Sequence, residues 1–312
     1  MPVFDHDTHP PKPVRPLSGG LVPDAPVDLV VPLVRPRAFL IDEITFANVP
    51  FFDGLTCRPL KMNLMAPRRR SNERFPILLF LCGGAWQAMD KDLWIPEWVS
   101  LVRRGFAVAC AEYRVTSVAP WPAQIEDVKS AIRYLRAHAD TWGLDASAIA
   151  VAGESAGGHL AAMAGATGKT RRFDTGDWLD QDSGVQAVVD FYGPTDFAQM
   201  ADWPTDFDHD SPTSPESLLI GGPVQKHPDR VADINPITWL TREAPPYLIL
   251  HGTDDRTVPC HQSELLYAAL RTLEVPTAYY RLLGEGHATD AFVQPQVMDL
   301  VADFLVHFLA HQ

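Results

Sequence analysis

The apolar pattern changes character near residue 75. Before that point it comes in short strand-like runs: Phe39-Leu-Ile, Ile44-Thr-Phe, then Lys61-Met-Asn-Leu-Met closing at Ala66-Pro67. After it, Pro76–Cys82 is continuously apolar, as expected of a parallel strand covered on both faces. Phe106–Ala111, Ile149–Ala152, Val185–Phe191 and Tyr247–His251 repeat that signature, and Val275–Leu282 reads as the last strand. Between and after them lie helical stretches over Leu93–Arg104, Pro122–His138, Ser155 to about Ala166, Ser263–Leu273 and Met298–Ala310. In the second of these, Ile125, Val128, Ile132 and Leu135 recur at helical spacing behind a proline suited to a helix start. Strands alternating with helices predict βαβ units, hence an α/β fold with a mostly parallel central sheet flanked by helices.

Three segments break this rhythm. Residues 1–36 are rich in proline and predict an extended surface extension preceding a domain over 37–312. Arg68-Arg-Arg with Ser71-Asn-Glu reads as a solvated loop. The stretch 197–240 carries Trp203-Pro, Ser211-Pro-Thr-Ser-Pro and Gly221-Gly-Pro, and an insertion of that length is typically a lid or a binding loop. Its position between two strands predicts that it lies over the carboxyl edge of the sheet.

Composition narrows the functional classes. The chain has 312 residues, 46% of them hydrophobic and 21% charged, and a net charge of −13. That charge argues against nucleic acid and against anionic membrane surfaces as partners. No run of apolar residues is long enough to cross a bilayer, and the first residues lack the pattern of a signal peptide. Cys57, Cys82, Cys110 and Cys260 have no metal-type spacing, so the reading is reduced thiols in a cytoplasmic protein with no metal and no organic cofactor. Nothing in the sequence reads on oligomeric state.

The chemistry concentrates in Ile149-Ala-Val-Ala-Gly-Glu-Ser-Ala-Gly-Gly-His-Leu. A β-branched run enters Gly153-x-Ser155-x-Gly157 and an alanine-rich helix leaves it, which is the sequence form of a nucleophile elbow. The small flanking residues allow helix and strand to approach closely, and the helix start directs backbone N–H groups toward developing negative charge. A serine hydroxyl needs a base, and the base needs an orienting carboxylate. Asp254 and Asp255 follow the strand that ends at His251; of the 11 histidines, only His287 follows a later strand end and is set among glycines. His159 and His251 read as packing residues, and His6, His9, His209, His227, His307 and His311 as solvated ones. Cys82-Gly83-Gly84-Ala85-Trp86 follows the first long buried strand, and its backbone N–H groups together with that of Ala156 are candidate oxyanion donors. Trp86, Trp203 and Phe207 are candidate walls of a substrate pocket.

These blocks carry a resemblance. Cys82-Gly-Gly-Ala-Trp, Glu112-Tyr-Arg with Trp121-Pro-Ala, Gly153-Glu-Ser-Ala-Gly-Gly-His-Leu, Phe191-Tyr-Gly-Pro-Thr-Asp-Phe, His251-Gly-Thr-Asp-Asp-Arg-Thr-Val-Pro and Gly284-Glu-Gly-His follow in the order of the α/β-hydrolase esterase/lipase group. The chain resembles the carboxylesterases like hormone-sensitive lipase, the feruloyl-esterase-like proteins and the related kynurenine formamidases. The resemblance implies the α/β-hydrolase fold, Ser155 as nucleophile, His287 as general base and, by the family's spacing, Asp255 as the acid. It implies a serine hydrolase acting on short-chain or aryl carboxylic esters, a small-molecule partner. An arylformamidase of the same chemistry is the alternative, and a ligand-binding protein on the same scaffold is the alternative of another class. One departure stands out: the family has histidine where this chain has Cys82, and often glycine where it has Ala85. Alanine there is costly only if the loop needs a positive φ, which would strain it by roughly 1–2 kcal/mol.

Overall fold

The continuous apolar runs become the centre of one 8-stranded sheet. The computed structural model describes residues 37–50, 57–68 and 73–309. The proline-rich extension over 1–36, residues 69–72 of the basic loop, and 310–312 lie outside the described residues. The strands are β1 (Ala38–Pro50), β2 (Cys57–Pro67), β3 (Phe75–Leu81), β4 (Ala107–Ala111), β5 (Leu144–Glu154), β6 (Ala187–Phe191), β7 (Tyr247–Gly252) and β8 (Thr277–Leu282). They lie in the order β1-β2-β4-β3-β5-β6-β7-β8. β1 and β2 are antiparallel, as are β2 and β4; every other neighbouring pair is parallel. The chain leaves β3 for β4 on one side and returns to β5 on the other. Such a reversal opens a crevice at the carboxyl ends of the strands, where α/β proteins bind ligands.

The two apolar runs at 39–41 and 44–46 belong to a single strand, β1, not to two. Register shifts between Leu40 and Asp42 and between Thr45 and Ala47 let pairing with β2 continue through the acidic Asp42-Glu43. Further along, the continuous runs are explained by cores on both faces. In β3, Ile77, Leu79 and Leu81 point to one core, while Leu78 and Phe80, with Cys82 just past the strand, point to the other. The first core is closed by α2 (Ala123–Ala137) through Ile125, Val128, Ile132 and Leu135, by α4 (Ala156–Ala166) and by α8 (His261–Thr272). The short α3 (Ala139–Trp142) links α2 to β5. The second core is closed by α1 (Ile95–Val102) and α9 (Pro295–Leu309), through Trp98, Leu101, Val301 and Leu305. α1 is shorter than its apolar pattern predicts, because Pro96 in its first turn sets the start and leaves Leu93 exposed.

The insertion over 197–240 is short helices and turns, including α5 (Pro215–Ile220), α6 (Pro228–Ile234) and α7 (Pro236–Trp239). It is packed down, with Phe197, Leu219, Ile220, Val224, Val231 and Ile234 all in the first core. Polar ties fasten it at several points. The Trp121 indole N–H donates to Asp233 at 2.9 Å and its backbone N–H to Leu219 O at 3.0 Å. His159 Nε2–H donates to Ile234 O at 2.8 Å, and Asn235 joins Asp196 to Phe197. His159 is therefore the packing residue expected, and burial holds its imidazole down at about 4, so it is neutral. His209 differs from expectation. It is buried and bonded to Glu216 (3.0 Å) and Thr205 (3.1 Å), because the loop folds back over it.

Candidate active site

β5 ends at Glu154 and α4 begins at Ala156, so Ser155 alone makes the turn, at φ 54° and ψ −120°. Such a conformation costs a non-glycine residue about 1–3 kcal/mol and persists only where the surroundings impose it. Here they do: the Ser155 N–H donates to Phe191 O at 2.9 Å and its carbonyl accepts the His159 N–H at 3.0 Å. The flanking glycines are sterically required. A Cβ on Gly153 would collide with the Gly157 carbonyl, and one on Gly157 with that of Leu81.

The loop after β7 and the loop after β8 deliver the partners. His287 Nε2 lies 3.0 Å from Ser155 Oγ, and His287 Nδ1 lies 2.6 Å from Asp255 Oδ2. Asp255 Oδ1 accepts the backbone N–H groups of Thr257 (2.8 Å) and Val258 (2.9 Å). Burial opposes charge on Asp255, but hydrogen bonds from His251 and His287 outweigh it and hold the carboxyl well below the usual range. An ionised Asp255 fixes the proton on His287 Nδ1 and leaves the Nε2 lone pair facing the serine hydroxyl. The structure thus brings Ser155, His287 and Asp255 together, and leaves Asp254 exposed with Thr253.

The oxyanion candidates divide. Gly84, Ala85 and Trp86 all have positive φ, at 121°, 54° and 56°. Ala85 therefore stands where the family's glycine would be unstrained, and the loop bears the strain foreseen for it. The Gly84 and Ala85 N–H groups have no protein acceptor among the described residues, and the Ala156 N–H is the first donor of α4. The Gly83 N–H is different: it donates to Glu154 Oε1 at 2.6 Å and is not free for substrate. The strained segment is held at both ends. Tyr113 Oη donates to Cys82 O at 2.7 Å, and the Thr116 N–H to Trp86 O at 2.8 Å.

The pocket candidates also divide. The Trp86 ring is 2% exposed and packs on His159 and Phe197, so it supports the loop from behind and is not an open wall. Trp203 is half-buried and stacks on His261 at 4.6 Å, and Phe207 is 57% exposed.

Comparison with known proteins gives the family. The sequence profile of the BD-FAE family matches residues 62–270, more than half of the chain. The chain belongs to the BD-FAE family. It is 34% identical over 223 residues to esterase LipC of Mycobacterium tuberculosis, an alignment covering 69% of this chain and 53% of that one. The chain spans about half the length of the curated relatives it matches. A truncated carbohydrate esterase from gut microbiota superposes with a TM-score of 0.75 at 29% identity, covering 88% of this chain and 97% of the other. A thermophilic esterase of Thermogutta terrifontis, with butyrate bound, gives 0.71 at 25% identity over 87% and 96% of the two chains.

Within this BD-FAE chain, two residues that sequence reasoning passed over sit in the site. His251, read as a packing residue, is buried beneath the acid loop with Nε2 3.2 Å from Asp255 Oδ2 and 2.8 Å from Val258 O. A carbonyl only accepts, so Nε2 carries the proton, shared between the two oxygens. Glu154, the variable position of the elbow motif, faces Cys82 and Gly83. The adjacency of His251 to the Gly-x-x-Asp loop was the one available signal; nothing in a single sequence marks Glu154. Burial, reinforced by the Glu154 charge, pushes the Cys82 thiol up to about 12, which keeps it protonated.

Proposed function

We propose that this protein is a serine hydrolase that cleaves carboxylic esters of short-chain or aryl acyl groups. The observation that carries the reading is the hydrogen-bonded line from Ser155 Oγ through His287 to Asp255, at 3.0 and 2.6 Å. As Ser155 Oγ attacks the ester carbonyl carbon, its proton passes to His287 Nε2. The carbonyl electron pair becomes an oxyanion facing the N–H groups of Gly84, Ala85 and Ala156. Collapse breaks the bond to the leaving alcohol, which takes the proton back from Nε2. Water then attacks the acyl-enzyme with the same histidine as base, and the acid product leaves. Asp255 stays ionised throughout and stabilises the imidazolium. Trp203 and Phe207 are the aromatic side chains offered to the acyl or alcohol group. Butyrate in the Thermogutta terrifontis relative supports a short acyl chain. A reducing, cytoplasmic setting suits the free cysteines.

The test is kinetic. p-Nitrophenyl esters of graded chain length, a hydroxycinnamate ester, an acetylated sugar and an aryl formamide are compared on one preparation. The esters are expected to be the better substrates, and Ser155→Ala to lower kcat by about 10⁴-fold or more with its thermal transition unchanged. Undiminished turnover by that variant would overturn the assignment, and preference for the formamide would redirect it to amide chemistry.

A further inference from the structure

Glu154 is 7% exposed and lies between the nucleophile and the oxyanion loop. Its Oε1 accepts the Gly83 N–H at 2.6 Å, and the Cys82 Sγ stands 3.5 Å from the same oxygen. The Tyr192 hydroxyl interacts with the same carboxylate, and the Tyr192 ring meets the His287 ring edge-to-face at 4.8 Å. A bare carboxylate beside an oxyanion hole would oppose the charge that forms there. This one is met by donors of the loop itself, the Gly83 N–H and the Cys82 thiol.

The loop needs such a hold. Its three consecutive residues of positive φ include Ala85 and Trp86, which gain nothing locally from that conformation. Tyr113 fixes the carbonyl of Cys82, the N–H groups of Gln87 and Ala88 that of Gly84, and Thr116 that of Trp86; Glu154 adds the tie on the Gly83 N–H, next to the peptide that carries the Gly84 donor. The fit is close: a Cβ on Gly83 would sit 2.7 and 2.8 Å from the two carboxylate oxygens of Glu154. The thiol at position 82 donates to the same acceptor, so the residue that departs from the family's histidine is part of the bracket.

We propose that Glu154 is a positioning residue for the oxyanion loop, acting through the Gly83 N–H to aim the donors of Gly84 and Ala85. The inference rests on the esterase reading above, and the experiment separates the two. Glu154→Ala removes the acceptor, Glu154→Gln keeps an oxygen for the Gly83 N–H, and Gly83→Ala displaces the bond from the loop side. Each is assayed on a short p-nitrophenyl ester and for inhibition by an aryl trifluoromethyl ketone. That ketone forms a bond from its carbonyl carbon to Ser155 Oγ; the serine proton moves to His287, and the resulting oxyanion needs the hole. Glu154→Ala and Gly83→Ala are expected to lower kcat by about 10- to 100-fold with KM within about 2-fold, and to weaken ketone inhibition by the same factor as kcat/KM. Glu154→Gln is expected within about 5-fold of the parent. A role in stability alone would lower the melting temperature and leave kcat and the inhibition constant of the folded enzyme unchanged, which would overturn the proposal. Equal losses in Glu154→Gln and Glu154→Ala would overturn it too, assigning the effect to charge. Should Glu154→Ala fail to fold, Gly83→Ala decides. If Ser155→Ala is itself active, the esterase reading has failed; if only the Glu154 and Gly83 variants behave like the parent, this inference alone has.

Discussion

At Asp255 every strong acceptor direction is occupied: two backbone N–H groups on Oδ1, and His287 and His251 on Oδ2. His251 is in turn held by Ser263 Oγ, 2.7 Å from its Nδ1. The acid is thereby locked in both charge and orientation, which is what a histidine base requires of it. His251→Phe is expected to lower kcat by about 10-fold with little change in KM, while Asp255→Asn costs about 10⁴-fold. In an Asp255→Asn background His251→Phe is expected to cost nothing further, because it acts only through that carboxylate; additive losses in the double-mutant cycle would contradict this. At this scale the sequence was legible where chemistry and backbone coincide. Ser155 and His287 each stand among glycines just past a strand, so their exposure at the sheet edge could be read directly. His251 and Glu154 look like ordinary strand ends, and their roles exist only once separate loops have converged on them.

β6 contributes a buried carboxyl beneath the elbow. Asp190 is fully buried, accepts the Gly193 N–H at 2.9 Å, and is pushed up by burial to about 7. Its folded value is above the unfolded one of about 4. Its contribution to stability is therefore complete below pH about 4 and is lost as pH rises to about 7. Asp190→Asn is expected to flatten that part of the pH profile, measured as the urea midpoint from pH 5 to 8; a variant whose profile keeps the parent slope would contradict it. The insertion over 197–240 shows the limit of pattern reading at the same scale. Its prolines and glycines mark a break in the βα rhythm correctly. They give no sign that Trp121, in the turn before α2, and His159, in α4, bind it into a fixed cap, or that His209 is enclosed by its own loop. Those contacts are long-range, and turn residues report only local geometry.

The whole molecule reads most directly from its periodicity. Short runs apolar at every position and rich in β-branched residues read as strands covered on both sides, and two cores flank β3. The antiparallel β1–β2 edge was less legible, since β1's register shifts disguise its alternation. Net charge acts at this scale as well. The chain carries −13, and Asp208 and Asp254 are exposed in segments that follow β6 and β7, as is Asp290 at the start of a short helix after β8; Asp206 is paired with Arg256. Esters bearing an anionic group are therefore expected to have a higher KM than neutral ones of equal size, falling about 2- to 5-fold between low salt and 0.3 M as screening takes effect. A KM independent of salt would count against that field.

The central claim is that Ser155 is the nucleophile of an ester hydrolase. Its most direct test is labelling with a fluorophosphonate, followed by intact-mass and peptide-level mass spectrometry. One adduct per chain is expected on the peptide containing Gly153-Glu-Ser155-Ala-Gly157, formed at a rate that falls in step with ester hydrolysis when His287 is replaced. Hydrolysis that continues undiminished in the fully labelled protein, or an adduct on any residue other than Ser155, would contradict it.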